Sequence, residues 1–262
     1  MYERTATPGN RPADEHPASG AAVPRPARTH TVQVVIGQGL PPRPLTEVTG
    51  KDVLDQKAAR IIRSYRGQRH KPVWRWFATT RRLILCESHL EAVRLDIADF
   101  DTDVVAAKAQ PFWAEGNFRG KRIAHVPDFL FELRGGRFLL VNVKHPRFAS
   151  TERALRASAW AAHLARSRGW DYEYWTGERE VGQFVPNVQA LHGFADPARF
   201  SSDLITAVRL TEGLSMQEIV QELPSWDLRQ VRATVLHLLW TGAFRADLTL
   251  PFDSSTRMER RP

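Results

Sequence analysis

The segment from Pro127 to Lys144 holds residue types that could bind a metal ion and cut a phosphodiester bond. Asp128 begins an apolar stretch, a glycine-containing turn follows, and a second apolar stretch ends at Asn142 and Lys144. Residues 142 and 144 share one face of a strand, because strand side chains alternate. A carboxylate and an amide oxygen can hold a divalent cation, and an ammonium group can position a water. The alternative is structural, with Asp128 capping a turn and Lys144 ending a strand in solvent.

The register of this predicted hairpin decides whether the polar residues meet. A two-residue turn at Gly135-Gly136 pairs Asp128 with Val143, which puts the carboxylate on the wrong face. A three-residue connection at 134–136 pairs Asp128 with Asn142 instead. Three-residue hairpin loops commonly carry glycine in the left-handed conformation. The metal-site hypothesis therefore predicts the three-residue connection.

A second carboxylate could come from a predicted helix. Apolar residues at helical spacing follow Glu87, namely Leu90, Val93 and Ile97. Glu87 and Glu91 are four residues apart and share a helix face, so either could reach the metal. The competing interpretation is a capping box, Ser88-x-x-Glu91, in which Glu91 folds back to the helix start.

Four sequence segments, taken in order, resemble one nuclease family. They are Ser64–His70, Glu87–Glu91, Phe100–Val105 with Gln110-Pro111, and Pro127–Phe129 with Val141–Lys144. In this order they are similar to the TnsA-like heteromeric transposase endonuclease subunits, a branch of the PD-(D/E)xK (restriction-endonuclease-like) nucleases. The resemblance spans residues 64–190.

The resemblance implies a metal site. Glu91 matches the helix glutamate near the metal, Asp128 the central ligand and Lys144 the catalytic lysine. The backbone carbonyl of Val143 would be a further ligand. Asn142 departs from the family, which has glutamine or glutamate there, and its side chain is one methylene shorter than glutamine. The implied cofactor is Mg²⁺, with Mn²⁺ as an alternative.

The resemblance also implies a substrate and partners. The chain would be a Mg²⁺-dependent DNA endonuclease that cuts the strand at the 5′ side of a mobile element. A DDE-type partner transposase would cut the other strand, and an AAA+ ATPase would regulate both. The implied DNA-binding residues are Arg66, Gln68, Arg69 and His70. A formal net charge of +8 suits a polyanionic partner without selecting one.

The 262 residues divide into four predicted parts. Residues 1–44 are rich in proline and arginine and predict a disordered tail, although Thr31–Ile36 could add an edge strand. Residues 45–190 predict an α/β nuclease domain, a restriction-endonuclease-like core with a mixed sheet. Residues 195–252 predict a small winged-helix-like α+β domain that binds DNA or docks a protein, and residues 253–262 a disordered tail.

Several elements are predicted inside these parts. Helices are expected over Lys51–Arg63 and over Thr151–Arg168, the second with an apolar side of Leu155, Ala159, Ala162 and Leu164 and a C-terminal glycine, Gly169. Strands are expected over Tyr172–Trp175 and Ala243–Phe252. Trp74, Trp76 and Phe77 follow a basic run, and we favour core positions for these aromatics over base stacking.

Other function classes are excluded or kept as alternatives. The one cysteine, Cys86, excludes an internal disulfide and a cysteine-rich zinc site. No apolar run approaches a membrane span and no signal peptide is present, so we expect no membrane partner and a cytoplasmic protein. Two alternatives remain. One is a catalytically weakened nuclease-fold subunit for DNA binding or docking, motivated by Asn142. The other is a winged-helix transcription regulator, whose DNA binding would survive chelation.

Overall fold

A computed structural model describes residues 31–57 and 72–260 of the chain. The strands of these residues are β1 (Gln33–Val35), β2 (Arg43–Pro44), β3 (Val73–Phe77), β4 (Arg82–Cys86), β5 (Val104–Ala109), β6 (Trp113–Phe118), β7 (Lys121–His125), β8 (Phe129–Leu133), β9 (Phe138–Val143), β10 (Asp171–Trp175), β11 (Phe244–Arg245) and β12 (Glu259–Arg260). The helices are α1 (Gly50–Asp55), α2 (His89–Phe100), α3 (Pro146–Ala149), α4 (Glu152–Ser167), α5 (Phe184–His192), α6 (Ser202–Arg209), α7 (Met216–Glu222) and α8 (Leu228–Trp240).

A four-stranded mixed sheet of order β10-β9-β8-β5 carries the candidate site. β8 is antiparallel to both of its neighbours, and β10 runs parallel to β9. Side chains alternate between two cores along β8: Phe129 packs with Leu95 of α2, and Leu130 packs with Trp160 of α4. Each of these side chains is fully buried, which stabilises the fold by about 1.5–3 kcal/mol for an apolar side chain of this size. The α/β class and the mixed sheet are confirmed.

The hairpin between β8 and β9 has the three-residue connection. The amide of Leu133 donates to the Arg137 carbonyl at 2.8 Å, and Leu130 lies opposite Leu140. The connection is a short 3₁₀ turn over Arg134–Gly136 in which Gly135 has φ 77° and Gly136 has φ 76°. Glycine adopts this left-handed conformation without the steric cost that a Cβ brings. The predicted three-residue connection is therefore confirmed, and the ladder runs from Glu132 opposite Phe138 to Phe129 opposite Val141.

A second four-stranded sheet, of order β2-β1-β6-β7, begins inside the predicted N-terminal tail. β1 lies between β2 and β6 and is not an edge strand. Val34 and Val35 are fully buried, and so is Val48. The prediction of a disordered tail is wrong for residues 31–44, because these valines bury enough apolar surface to offset ordering of the short segment. Residues 1–30 of that tail lie outside the described residues.

The first predicted helix is shorter than expected. A capping box between Thr49 and Asp52 starts α1, and α1 ends at Asp55 because Gln56 is extended. The predicted continuation over residues 58–63 lies outside the described residues.

The second predicted helix is confirmed as α4, but its buried side differs. Thr151 caps the start through its side chain, and Gly169 follows the end with φ 67°. Leu155, expected on the apolar side, is 51% exposed, whereas the buried residues are Ala154, Trp160, Ala161, Leu164 and Ala165. The buried face includes Trp160 because the helix packs on two sheets at once, which the apolar pattern did not indicate.

The hairpin of β3 and β4 corrects the prediction for one aromatic residue. Phe77 is fully buried as expected, but Trp74 is 63% exposed. Trp74 lies opposite Leu85, and Trp76 lies opposite Leu83, which is also exposed. In the described part of the chain this hairpin forms a two-stranded sheet of its own, so one face stays open to solvent.

The C-terminal region contains the helices α6, α7 and α8. The capping box of Ser215 and Glu218 starts α7, and the Asp227 carboxylate caps α8. The predicted strand Ala243–Phe252 is reduced to the two residues of β11. Asp247 accepts hydrogen bonds from the amide and hydroxyl of Thr249 at 2.9 and 2.6 Å, and this local turn ends the extended chain.

The predicted disordered C-terminal tail is wrong for residues 253–260. β12 pairs with β11, and Met258 is fully buried in the C-terminal core. The amide of Met258 donates to Leu214 at 2.9 Å, and its carbonyl accepts from Gly213 at 2.7 Å. The tail is therefore ordered by long-range pairing that its polar composition did not predict.

The C-terminal core packs against the end of α2. The ring of Phe100 lies 5.6 Å from Trp240 and 6.4 Å from Phe184, measured between centroids. Residues of α5, including Val188, join the same core. None of the helices that the structure describes is long and apolar enough to cross a membrane.

Candidate functional site

Asp128 lies where the pairing of β8 and β9 ends. Its carboxylate Oδ2 accepts the amide of Val143 at 2.6 Å, and its own amide donates to the Val141 carbonyl at 3.1 Å. On the other side its carbonyl accepts the amide of Gln110 at 2.9 Å. This bond fixes the carboxylate at the end of the hairpin.

Asn142 lies next to the end of this ladder, whose last pair is Phe129 and Val141. Its neighbour Val143 donates its amide to the Asp128 carboxylate at 2.6 Å, which places Asn142 beside Asp128. The Asn142 side chain is buried, with 4% exposure, and both of its amide atoms approach one imidazole. His125 Nε2 lies 3.0 Å from Nδ2 and 3.3 Å from Oδ1. The shorter side chain thus contacts a neighbour that the predicted site did not include.

His125 is the site residue that sequence reasoning missed. It is the last residue of β7, half-buried, and two residues separate it from Asp128. The available signal was its place at the end of an alternating strand, immediately before the Pro127-Asp128 pair. Its contact with Asn142, 17 positions away, could only be seen once β7 and β9 were placed in space.

Lys144 follows β9 with its side chain in solvent. Its amide continues the parallel ladder by donating to the Trp175 carbonyl at 2.9 Å. Val143 packs toward the core beside α2, so alternation puts Asn142 and Lys144 on the other face. Within residues 31–57 and 72–260 the Lys144 ammonium has no hydrogen bond or ion pair, which leaves it able to meet a phosphate.

Glu91 adopts the capping arrangement. Its Oε2 accepts the Glu87 amide at 2.7 Å, and its Oε1 accepts the Ser88 hydroxyl at 3.0 Å. The Ser88 hydroxyl in turn accepts the Glu91 amide at 3.2 Å. Glu91 thus folds back to the helix start as the capping interpretation predicted, although its carboxylate accepts the Glu87 amide and not the Ser88 amide of a full capping box. The role of this carboxylate as a metal ligand stays a prediction.

Acidic and histidine side chains do not form a dense metal cluster. In the described part of the chain no three residues among His, Cys, Asp and Glu converge well enough to hold an ion. Glu91, Asp128 and His125 therefore do not meet at one point. A cation at Asp128 would depend on the Asn142 amide and on backbone oxygen for its other protein ligands.

Ion pairs fix α2 against the sheet. Arg94 donates twice to Glu173 of β10, at 2.9 and 2.7 Å, and its guanidinium lies 5.0 Å from the centre of the Phe131 ring. Arg75 of β3 donates two bonds of 2.6 Å to Asp96, whose side chain is 1% exposed. The helix start and the end of the β8–β9 hairpin are thus held in one rigid frame.

Two tyrosines of β10 lie beside the site. Tyr174 is opposite Asn142 in the parallel ladder, and its hydroxyl donates to the Ala149 carbonyl at 3.0 Å. Burial raises the pKa of Tyr172 to about 12, and the charge of Asp128 acts in the same direction. Burial and Asp128 also raise the pKa of Tyr174. Both hydroxyls therefore stay protonated near the carboxylate.

The predicted DNA-binding residues Arg66, Gln68, Arg69 and His70 lie outside the described residues. Exposed His145 and Arg147 follow shortly after Lys144. Cys86 is fully buried, and burial raises the pKa of its thiol, so it packs as an apolar residue and is no nucleophile.

Comparison with known proteins leaves the resemblance untested. The chain matches no protein-family model. No characterised protein is significantly similar to it. The assignment to the TnsA-like subunits therefore depends on the four sequence segments alone.

Proposed function

We propose that this chain is a divalent-metal-dependent DNA endonuclease. The observation that carries the proposal is the end of the β8–β9 hairpin, where the Asp128 carboxylate binds the amide of Val143, next to Asn142, at 2.6 Å. Lys144 follows two residues after Asn142 with an exposed side chain. A carboxylate, an amide oxygen and a free ammonium group at one strand end suit hydrolysis of a phosphodiester.

The order of elements supports a restriction-endonuclease-like core as part of this proposal. The elements of this core come in the order α2, β5, β8, β9, α4 and β10 along the chain, and β10 runs parallel to β9. Helices pack on both faces of this sheet, and the polar residues sit at one end of its central hairpin. The sheet thus supplies a rigid base for the proposed site.

The donor set fits Mg²⁺, which prefers hard oxygen ligands and keeps several waters. Asp128, Asn142 and the Val143 carbonyl would hold the ion, and Glu91 would join them if it left the helix start. When bound, such an ion lowers the pKa of a water and withdraws charge from the phosphoryl oxygens. Asp128 would orient that water, and the Lys144 ammonium would offset charge that develops on the phosphate.

The place of this activity in a larger reaction follows from the resemblance. We propose cleavage at the 5′ ends of a mobile element, beside a DDE-type transposase and an AAA+ ATPase. The C-terminal region offers exposed Arg229 and Arg232 on α8 for DNA or for a protein partner. Exposed Lys144, His145 and Arg147 would contact the DNA backbone near the cut.

The test is cleavage of duplex DNA by the full chain, assayed alone and together with the partner transposase and the ATPase. Asp128→Ala and Lys144→Ala should abolish metal-dependent nicking while DNA binding in a gel-shift assay stays near wild type. Lys121→Ala is a matched control, because Lys121 is also exposed but lies at the other end of β7. Wild-type nicking by either site variant would refute the mechanism.

A catalytically weakened subunit is the second candidate. The buried Asn142 amide is engaged with His125, and the Glu91 oxygens cap a helix, so fewer ligands are free than in the proposed active form. Asn142→Gln and Asn142→Glu separate the two functions. Cleavage that appears only in these variants would establish a weakened wild-type site. A fall in cleavage would favour an active wild type, because the extra methylene costs about 1–3 kcal/mol of packing in a filled site.

A further inference from the structure

His125 brings an imidazole nitrogen to a site whose other side-chain donors are oxygens. It ends β7, while Asp128 precedes β8, and only Val126 and Pro127 separate them. Its Nε2 lies 3.0 and 3.3 Å from the two amide atoms of Asn142. His125 and Asn142 are thus in contact, and Asp128 is held beside Asn142 by its bond to the Val143 amide at 2.6 Å.

These separations match those of neighbouring ligands on one ion. Two ligands about 2.1 Å from a cation and at right angles lie about 3.0 Å apart, and at a tetrahedral angle about 3.4 Å. The distances from Nε2 to the amide atoms, 3.0 and 3.3 Å, fall in that range. Rotation of the amide by half a turn exchanges its nitrogen and oxygen, so either distance can belong to the oxygen.

The identity of residue 142 gives this contact a role. The asparagine side chain is one methylene shorter than the glutamine that the resemblance leads one to expect, so its amide oxygen lies closer to the backbone of β9. His125 lies beside it at hydrogen-bond distance, and Asn142 is 4% exposed. A nitrogen donor therefore stands next to the position that the shorter side chain leaves unfilled.

We propose that His125 Nε2 is a ligand of the catalytic cation, together with the Asp128 carboxylate and the Asn142 amide oxygen. This inference rests on the proposed function, since it names the ion that the same site takes. Imidazole binds first-row transition ions well, whereas Mg²⁺ strongly prefers oxygen. A nitrogen ligand therefore raises the affinity of the site for Mn²⁺ or Co²⁺ relative to Mg²⁺, which the oxygen ligands alone would hold.

Binding of Co²⁺ and Mg²⁺ to the full chain, without DNA, tests the ligand set. Isothermal titration gives both affinities, and the visible absorption of bound Co²⁺ reports a nitrogen ligand directly. His125→Gln keeps a hydrogen-bonding partner for Asn142 but removes the imidazole. This variant should weaken Co²⁺ binding at least tenfold. Removal of a residue that only orients a metal ligand already lowers metal affinity by about tenfold or more, and removal of a ligand should cost at least as much. The variant should leave Mg²⁺ affinity within about threefold and shift the Co²⁺ spectrum, as should His125→Ala.

Two further variants make the outcome decisive. His89→Ala removes an exposed histidine outside the ligand set and should bind both ions like the wild type. Asp128→Asn should weaken both ions together. An unchanged Co²⁺ affinity and spectrum in His125→Gln would overturn the ligand role. Equal losses of Co²⁺ and Mg²⁺ affinity would also overturn it, because they would indicate that His125 only orients Asn142. Because no DNA is present, these results stand apart from the nicking assay that judges the proposed function.

Discussion

Replacing Asp128 with asparagine separates the structural role of this side chain from its proposed chemistry. The asparagine has the same shape, and its amide oxygen can still accept the Val143 amide that Asp128 binds at 2.6 Å. It removes the negative charge that would bind a cation. Asp128→Ala removes both the charge and the acceptor, so the two variants together distinguish the functions of the residue.

The expected change in stability follows from that hydrogen bond. A bond to a charged acceptor contributes about 1.5–3 kcal/mol and a neutral one about 0.5–1.5, so Asp128→Asn should lower the free energy of unfolding by about 1 kcal/mol. Asp128→Ala leaves the Val143 amide without this acceptor, at a cost of about 1–3 kcal/mol. For a domain of this size 1 kcal/mol corresponds to a fall in Tm of about 2–4 °C.

Cleavage should respond differently from stability. Both variants lose the carboxylate, so both should lose at least about 100-fold in nicking rate, the effect of removing one preorganised electrostatic group. Thermal unfolding followed by circular dichroism gives the stability, and plasmid nicking gives the rate. Full nicking activity in Asp128→Asn would refute the metal-ligand role. An equal loss of stability in both variants would refute the hydrogen-bond explanation.

Two further predictions concern the polar contacts that hold α2. Asp96→Ala leaves Arg75 without its two bonds of 2.6 Å, and thermal unfolding should show a loss of about 3 kcal/mol. Glu152→Ala, which breaks an exposed ion pair with Arg156, should change the free energy of unfolding by less than about 0.5 kcal/mol. A similar loss of stability in both variants would contradict the importance of the buried pair of Arg75 and Asp96. Burial raises the pKa of Asp99 above its usual 3.8, so the folded protein keeps a proton that the unfolded chain releases. Stability should therefore fall as the pH rises from the unfolded pKa through the raised folded pKa, and urea unfolding across this window should show a smaller fall in Asp99→Asn. An identical pH profile in the variant would exclude Asp99 as the source.

Local signals in the sequence predicted elements whose ends depend on neighbouring residues. Gly169 follows the end of α4 as predicted, because a cap acts within one helical turn. The register of the β8–β9 hairpin could be predicted for the same reason. Two glycines at the turn allow a three-residue connection, and that connection then fixes which residues face each other.

Burial was harder to predict where one element packs against several others. Trp74 was expected in the core and is 63% exposed, while Leu155 of α4 is 51% exposed although its neighbour Ala154 is buried. Alternation and helical spacing state which side chains share a face, but they do not state which face another element covers. That depends on sheets formed by segments far away along the chain.

The sequence by itself determined the residue types at the candidate site, the three-residue connection of the β8–β9 hairpin, and the α/β class, because turn chemistry and side-chain periodicity act over a few residues. Only the tertiary structure decided that His125 meets Asn142 and that the segments at 31–44 and 253–260 join sheets. These outcomes depend on contacts between distant segments, whose free energy comes from burying surface jointly. The residue pattern within one segment does not show which distant segment will be buried against it.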